Sequence, residues 1–242
     1  MRAFRSITAP VLVLFFLFTA CSPQELQSIL NSAGGSTALS NEEVVAGLKE
    51  ALRVGAERAV DRVGATDGFW SNALIRIPFP QEAIQVKNTL TDLGITGPVE
   101  QFERTLNTAA ERASREAVPV FVEAITSMSI ADGFAILRGG QNAATNFLRE
   151  RTSTALRARF LPVVEQATKE VTLTNHWRPV ATAYNTATLL TGGKAVDPDL
   201  NAYVTDKALE GLFTILAQEE ERIRQDPVAR TTALLQKVFA AQ

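Results

Sequence analysis

The amino-acid sequence predicts an all-α protein: a single multi-helix domain of about eight to ten helices with Pro-bent joints, preceded by a signal peptide and a short tether. Three observations carry this prediction. Apolar residues recur at helical spacing through most of residues 39–242, and no segment shows period-two alternation bounded by hairpin signals. Gly and Pro stand where helices must stop or start, and no internal repeat is visible.

The elements follow in order. Ser40 stands three residues before Glu43, the capping-box spacing that satisfies two orphan backbone N–H groups reciprocally. The helix it opens carries Val44, Val45, Leu48, Leu52, Ala59 and Val63, with a stripe of Gly47, Ala51 and Gly55 that admits a close neighbour, and Gly64 ends it. Residues 66–80 (TDGFWSNALIRIPFP) hold six large apolar side chains, and Pro78 and Pro80 forbid a regular helix through Phe79. That segment is expected either to pack over the body in extended form or to present its apolar groups to a partner.

A helix from Pro80 to Leu93 is stopped by Gly94 and Gly97, and Pro98 suits the first position of the next. Pro119 is expected to kink or divide that helix. Ser129 with Asp132 caps a brief helix ending at Gly139-Gly140, and the longest pattern, residues 142–171, contains Pro162 and is expected to bend near Arg159. A helix over residues 174–190, a Gly192-Gly193 turn, the strongest helix over about 205–224 and a last one restarted at Asp226-Pro227 complete the domain.

Composition narrows the function. Across 242 residues, 24 Lys+Arg against 26 Asp+Glu leave a net charge of -2, so no basic field exists to hold DNA or RNA, and nucleic acid is not an expected partner. One Cys and one His cannot build a structural zinc site, a disulfide framework or an iron–sulfur ligand set. No metal or other cofactor is expected.

The N-terminus reads as an address. Arg2 and Arg5 precede an apolar run from Val11 to Phe18, much shorter than the roughly 20 residues of a membrane-spanning helix. Phe18-Thr19-Ala20-Cys21 resembles the bacterial lipobox, with Phe18 where that pattern prefers Leu. Residues 1–20 are therefore expected to be a lipoprotein signal peptide, Cys21 the lipidated first mature residue, and 21–38 a flexible tether to a helical domain over 39–242. Each buried acyl methylene contributes about 0.8 kcal/mol, so two or three chains anchor stably. Ser22 after the Cys resembles the sorting signal for the outer membrane, with the mature protein facing the periplasm.

With that N-terminus, four stretches resemble the bacterial domain-of-unknown-function 4197 family of periplasmic or lipid-anchored proteins. They are LSNEEVVAGLKEAL (39–52), TDGFWSNALIRIPFP (66–80), ILRGGQNAATNFLRERTSTALRARFLPVV (136–164) and YVTDKALEGLFTILAQEEERIRQDPVARTTALLQKVF (203–239). The resemblance implies an α-helical envelope protein of Gram-negative bacteria. It brings no catalytic or ligand residues with it.

Candidate sites come from the residues themselves. Arg138, Gly139 and Gly140 form a turn into a helix carrying Arg149, Arg151, Arg157 and Arg159, a pattern that can present N–H groups and guanidinium to an acidic ligand. The plainer reading is a Gly C-cap, an Asn142 N-cap and a solvated Arg face. Phe69, Trp70 and Phe79 are candidate interaction anchors or, alternatively, a loop folded onto the core. Glu219-Glu220-Glu221 lie about 100° apart around a helix, so they cannot converge on one ion unaided, and Glu220 and Glu221 suit surface pairing with Arg224.

The expected function is a lipid-anchored periplasmic binding module, attached to the membrane through Cys21, for an envelope protein or an amphiphilic ligand. Two alternatives are an enzyme using Glu219, Glu220 and Asp132 with His176, the only imidazole, and a purely structural envelope factor. The anchor has a direct check: Cys21→Ser should release the protein from isolated membranes and leave the precursor unprocessed on immunoblots. A variant that still matures and stays membrane-bound disproves lipidation.

Overall fold

Ser40 opens the first helix as its spacing predicts: its Oγ accepts from Glu43 N at 3.1 Å, and Glu43 Oε2 accepts from Ser40 N at 2.8 Å. A computed structural model describes residues 40–81, 84–94, 96–169, 182, 185–186 and 200–225, with no strand among them. These residues form seven helices, α1 (Asn41–Gly64), α2 (Ile84–Asp92), α3 (Thr96–Ser114), α4 (Ala117–Thr126), α5 (Ile130–Arg138), α6 (Ala143–Lys169) and α7 (Leu200–Gln225). The expected signal peptide and tether, Cys21, His176, most of the helix expected over 174–190 and the one expected after Asp226 lie outside the described residues.

Prolines sit differently from expectation. Pro98 and Pro119 are each the third residue of their helix, α3 and α4, so the break falls at Arg115-Glu116 and not at Pro119. First-turn N–H groups have no intrahelical acceptor, so a proline there removes nothing. Pro162 lies inside α6, which continues to Lys169. It lacks the N–H that would bond the carbonyl four residues back, yet the helix is held on both sides by packing against α3, α4 and α7.

The long C-terminal helix α7 is the core. Val204, Ala208, Leu212 and Ile215 are fully buried, and α7 packs against α6, α1 and α3. Phe213 meets Phe121 of α4 edge-on with ring centroids 6.0 Å apart. The small-residue stripe of α1 faces the other end of α7: a Cβ on Gly55 would stand 3.3 Å from Ile223 Cδ1.

Segment 66–80 packs onto this core, and α3 shows why. Ile75, Ile77 and Phe79 are buried while Arg76 and Pro78 are exposed, so the chain alternates in and out like a β-strand, although it has no partner strand. Asn107 takes the partner's place: its Oδ1 accepts from Ile77 N at 2.8 Å and its Nδ2 donates to Ile77 O at 2.9 Å. One turn away, Glu103 pairs with Arg76 at 3.3 Å and with Lys87 at 2.6 Å. One turn the other way, buried Glu111 accepts from Phe69 N at 3.1 Å and Trp70 N at 3.4 Å.

The far side of the segment needs a glycine. A Cβ on Gly211 would lie 2.5 Å from Phe69 Cε1 and 3.2 Å from Ile75 Cβ, so only glycine lets the Phe69 ring lie against α7. Burial acts directly on the charge of Glu111. Desolvation raises its carboxyl above the ordinary value, the Phe69 and Trp70 N–H groups pull it back, and the negative Asp67 adds to the rise.

A raised folded-state value means that the folded protein holds the proton more tightly than the unfolded chain. This contribution favours folding below the unfolded value and is lost as pH rises through the folded one. In urea denaturation, the wild type should therefore lose stability relative to Glu111→Gln as pH goes from about 4 to about 7. Parallel pH curves for the two proteins would contradict this account of Glu111.

Candidate functional site

The Gly-rich turn before α6 does bind a carboxylate, but it is the protein's own. Gly139 caps α5, Asn142 takes the left-handed conformation at φ 67°, and α6 begins with its first N–H groups free of helical partners. Glu220 of α7 fills that place. Its Oε1 accepts from Ala144 N at 3.1 Å, and its Oε2 accepts from Thr145 N and Thr145 Oγ1, each at 2.8 Å.

Arg224 completes the clamp, 2.9 Å from Glu220 Oε1 through Nη2, which also donates to Ile136 O at 3.1 Å. One carboxylate thus joins the end of α5, the start of α6 and the last turns of α7. The anionic charge also complements the positive end of the α6 dipole. An apolar notch beside the clamp, between Ala51, Gly55, Leu148 and Ile223, has a volume of only ≈ 30 Å³.

The predicted arginines do not gather at this turn. Arg138 lies over Phe134 at 5.3 Å, Arg151 is 3.8 Å from Asp132 and 5.4 Å from the Phe147 ring, and Arg157 pairs with Asp206 of α7. Gly139 is required by crowding, since a Cβ there would lie 2.5 Å from Ala143 Cβ, while Gly140 faces open space.

The aromatic anchors are also corrected. Phe69 and Phe79 are 0% and 3% exposed and belong to the core, because α3 and Gly211 give the segment's backbone and rings a place to go. Trp70 is half-buried between two guanidinium groups, Arg76 at 3.6 Å and Arg104 at 4.7 Å from its ring centre.

Nor do the carboxylates form a surface face. Glu219 is 1% exposed and bonds Arg62 of α1 at 3.0 Å, Glu220 is consumed by the clamp, and Glu221 accepts from Gln225. Asp132 serves the α5 capping box, accepting from Ser129 N at 3.0 Å, and the Ser129 hydroxyl holds its carboxyl below the usual range. Among the described residues no three His, Cys, Asp or Glu side chains stand together as metal ligands. No single described helix is long and apolar enough to cross a membrane.

What the tertiary structure does assemble is a pair of neighbouring surface hollows along the N-terminal half of α7, together termed the furrow. One part, ≈ 420 Å³, lies between Pro78, Phe79 and Pro80 and the α7 residues Leu200, Tyr203, Asp206 and Lys207. The other, ≈ 410 Å³, lies between Arg149, Ser153, Thr154 and Arg157 of α6 and Asp206, Leu209, Glu210 and Phe213 of α7. Asp206 borders both. Tyr203 closes one wall by donating to Pro78 O at 3.1 Å, and Arg149 sits over the Phe213 ring at 4.4 Å.

Sequence reading found the apolar stripe of α7 and passed over this polar one. Its signal was present: Tyr203, Asp206, Lys207 and Glu210 recur at the helical period.

The clamp has a measurable role. Glu220→Ala should cost about 1–3 kcal/mol in urea denaturation, because it leaves the buried Ala144 and Thr145 amides without their acceptor and strips the cap from α6. Amide exchange at Ala144 and Thr145 should accelerate more than exchange elsewhere in α6. Unchanged protection at those two amides would show that the cap is not what orders them.

No curated protein and no solved structure is significantly similar to the chain. One family model, described as a protein of unknown function (DUF4197), matches residues 38–240. Over residues 38–240, most of its length, the chain therefore belongs to the DUF4197 family.

Proposed function

We propose that this protein is a lipid-anchored binding module of the Gram-negative cell envelope, held by lipid on Cys21 at the periplasmic face of the outer membrane. Its contact surface is the furrow along α7, and its partner is another envelope protein. The anchor rests on the signal segment and on Cys21 directly after Ala20. The binding role rests on the furrow, whose two parts of ≈ 420 and ≈ 410 Å³ expose charged and apolar groups together.

The interior notch beside Glu220 is too small to lodge an amphiphile, and the furrow, whose two parts do reach small-molecule size, favours a protein partner through its open, charged walls. A small-molecule pocket usually offers roughly 300–1,000 Å³, whereas the notch beside Glu220 has ≈ 30 Å³. The carboxylates considered for catalysis are engaged in structure, Glu220 in the clamp and Asp132 in its capping box.

Photo-crosslinking tests the proposal. A photoreactive amino acid placed at Ser153 or Thr154 in the lipidated protein in living cells should give discrete ultraviolet-dependent adducts, and the same group at Glu123, exposed on α4, should not. Adducts from Glu123 alone, or from no position, would remove the furrow as the contact surface.

A further inference from the structure

Among the described residues, the furrow's walls leave one cation over. Its lining holds three cations, Arg149, Arg157 and Lys207, against two carboxylates, Asp206 and Glu210. Arg157 is paired with Asp206, and Lys207 lies 2.7 Å from Glu210. Arg149 has no carboxylate partner among the described residues. Its guanidinium lies over the Phe213 ring, which engages the cation without consuming its N–H donors.

From Leu200 to Phe213 the furrow follows one face of α7 for thirteen residues, about 20 Å at the helical rise. An extended chain covers that distance in about six residues. Along the way Tyr203, Lys207, Ser153 and Thr154 offer polar groups beside the apolar Phe79 and Leu209. Such walls suit a peptide, whose backbone N–H and C=O groups need partners, better than an acyl chain, which would leave them unpaired.

Resting on the reading of the furrow as the contact surface, we infer that its occupant is an extended segment of a partner protein carrying one acidic side chain, and that Arg149 receives that carboxylate. The pair is charge-assisted, and the guanidinium geometry allows a two-point contact. The Phe213 ring holds the cation in place before the partner arrives.

The test uses the full-length protein in detergent and pools of labelled, acetylated and amidated hexapeptides, each with Glu at one position, alongside pools with Gln at that position. Fluorescence polarisation should show at least one Glu pool binding about tenfold more tightly than its Gln counterpart, a difference of about 1.4 kcal/mol. Arg149→Gln, with an unchanged melting temperature, should abolish that preference, and Arg149→Lys should keep part of it. A preference that survives Arg149→Gln, or no preference in any pool, overturns the inference. Decanoate that binds in an Arg149-dependent way while the peptides do not also overturns it, and leaves the proposed binding role standing. Loss of that role would instead show as missing crosslinks at Ser153 and Thr154.

Discussion

The Glu220 carboxylate is the constraint on which the rest of the described structure turns. It is buried on α7 and bonded to the first amides of α6, so it fixes where two long helices start relative to each other. Arg149 lies one turn beyond Thr145, and Phe213 lies two turns before Glu220. Because the helices run antiparallel, locking Thr145 to Glu220 brings Arg149 over Phe213, and further along brings Arg157 to Asp206 and Thr168 to Asn201. The furrow's α6–α7 side is thus a consequence of one buried polar contact. Apolar packing alone, being non-directional, sets such a register far less sharply.

A second polar device holds the non-helical segment. Glu103, Asn107 and Glu111 recur every four residues on α3 and meet, in turn, Arg76, the Ile77 backbone, and the Phe69 and Trp70 amides. A helix face thereby does for an extended chain what a neighbouring strand does in a sheet. That is why Phe69, Ile75, Ile77 and Phe79 become core, with Trp70 half-buried and Leu74 exposed, and why the segment's prolines cause no loss. Pro78 is exposed between two buried residues, and Pro80 closes the segment ahead of α2. The furrow inherits one wall from this arrangement, since Pro78, Phe79 and Pro80 stand across from Tyr203.

Both devices place charged groups inside the protein and leave the Arg149 cation at the surface. The internal carboxylates Glu220, Glu219 and Glu103 are matched by Arg224, Arg62, Arg76 and Lys87, whereas Glu111 is held by the Phe69 and Trp70 amides, so these groups tie separate parts of the chain together. This division explains why the Glu220–Arg224 pair, expected at the surface, forms largely out of water, and why the Gly-rich turn is not an open anion site. In each case the group expected to face water or a ligand meets another part of the same chain.

How much was legible follows from the distance over which each signal acts. The all-helical class, both capping boxes, the glycine stops near Gly64 and Gly139 and the packing stripes of α1 and α7 were determined by the sequence alone. Caps, turns and helical periodicity are contacts within a few residues, so neighbouring letters are enough to specify them. The alternation of Ile75, Arg76, Ile77, Pro78 and Phe79 was also written there, but without a partner strand it could not be read as burial. Only the tertiary structure decided that Asn107 supplies that partner, that Gly211 receives Phe69, that Glu220 occupies the α6 N-terminus and that Arg149 remains over. Glu220 and Thr145 are 75 residues apart, and whether a carboxylate at such a separation meets water, an arginine or a helix end is settled only when the helices pack.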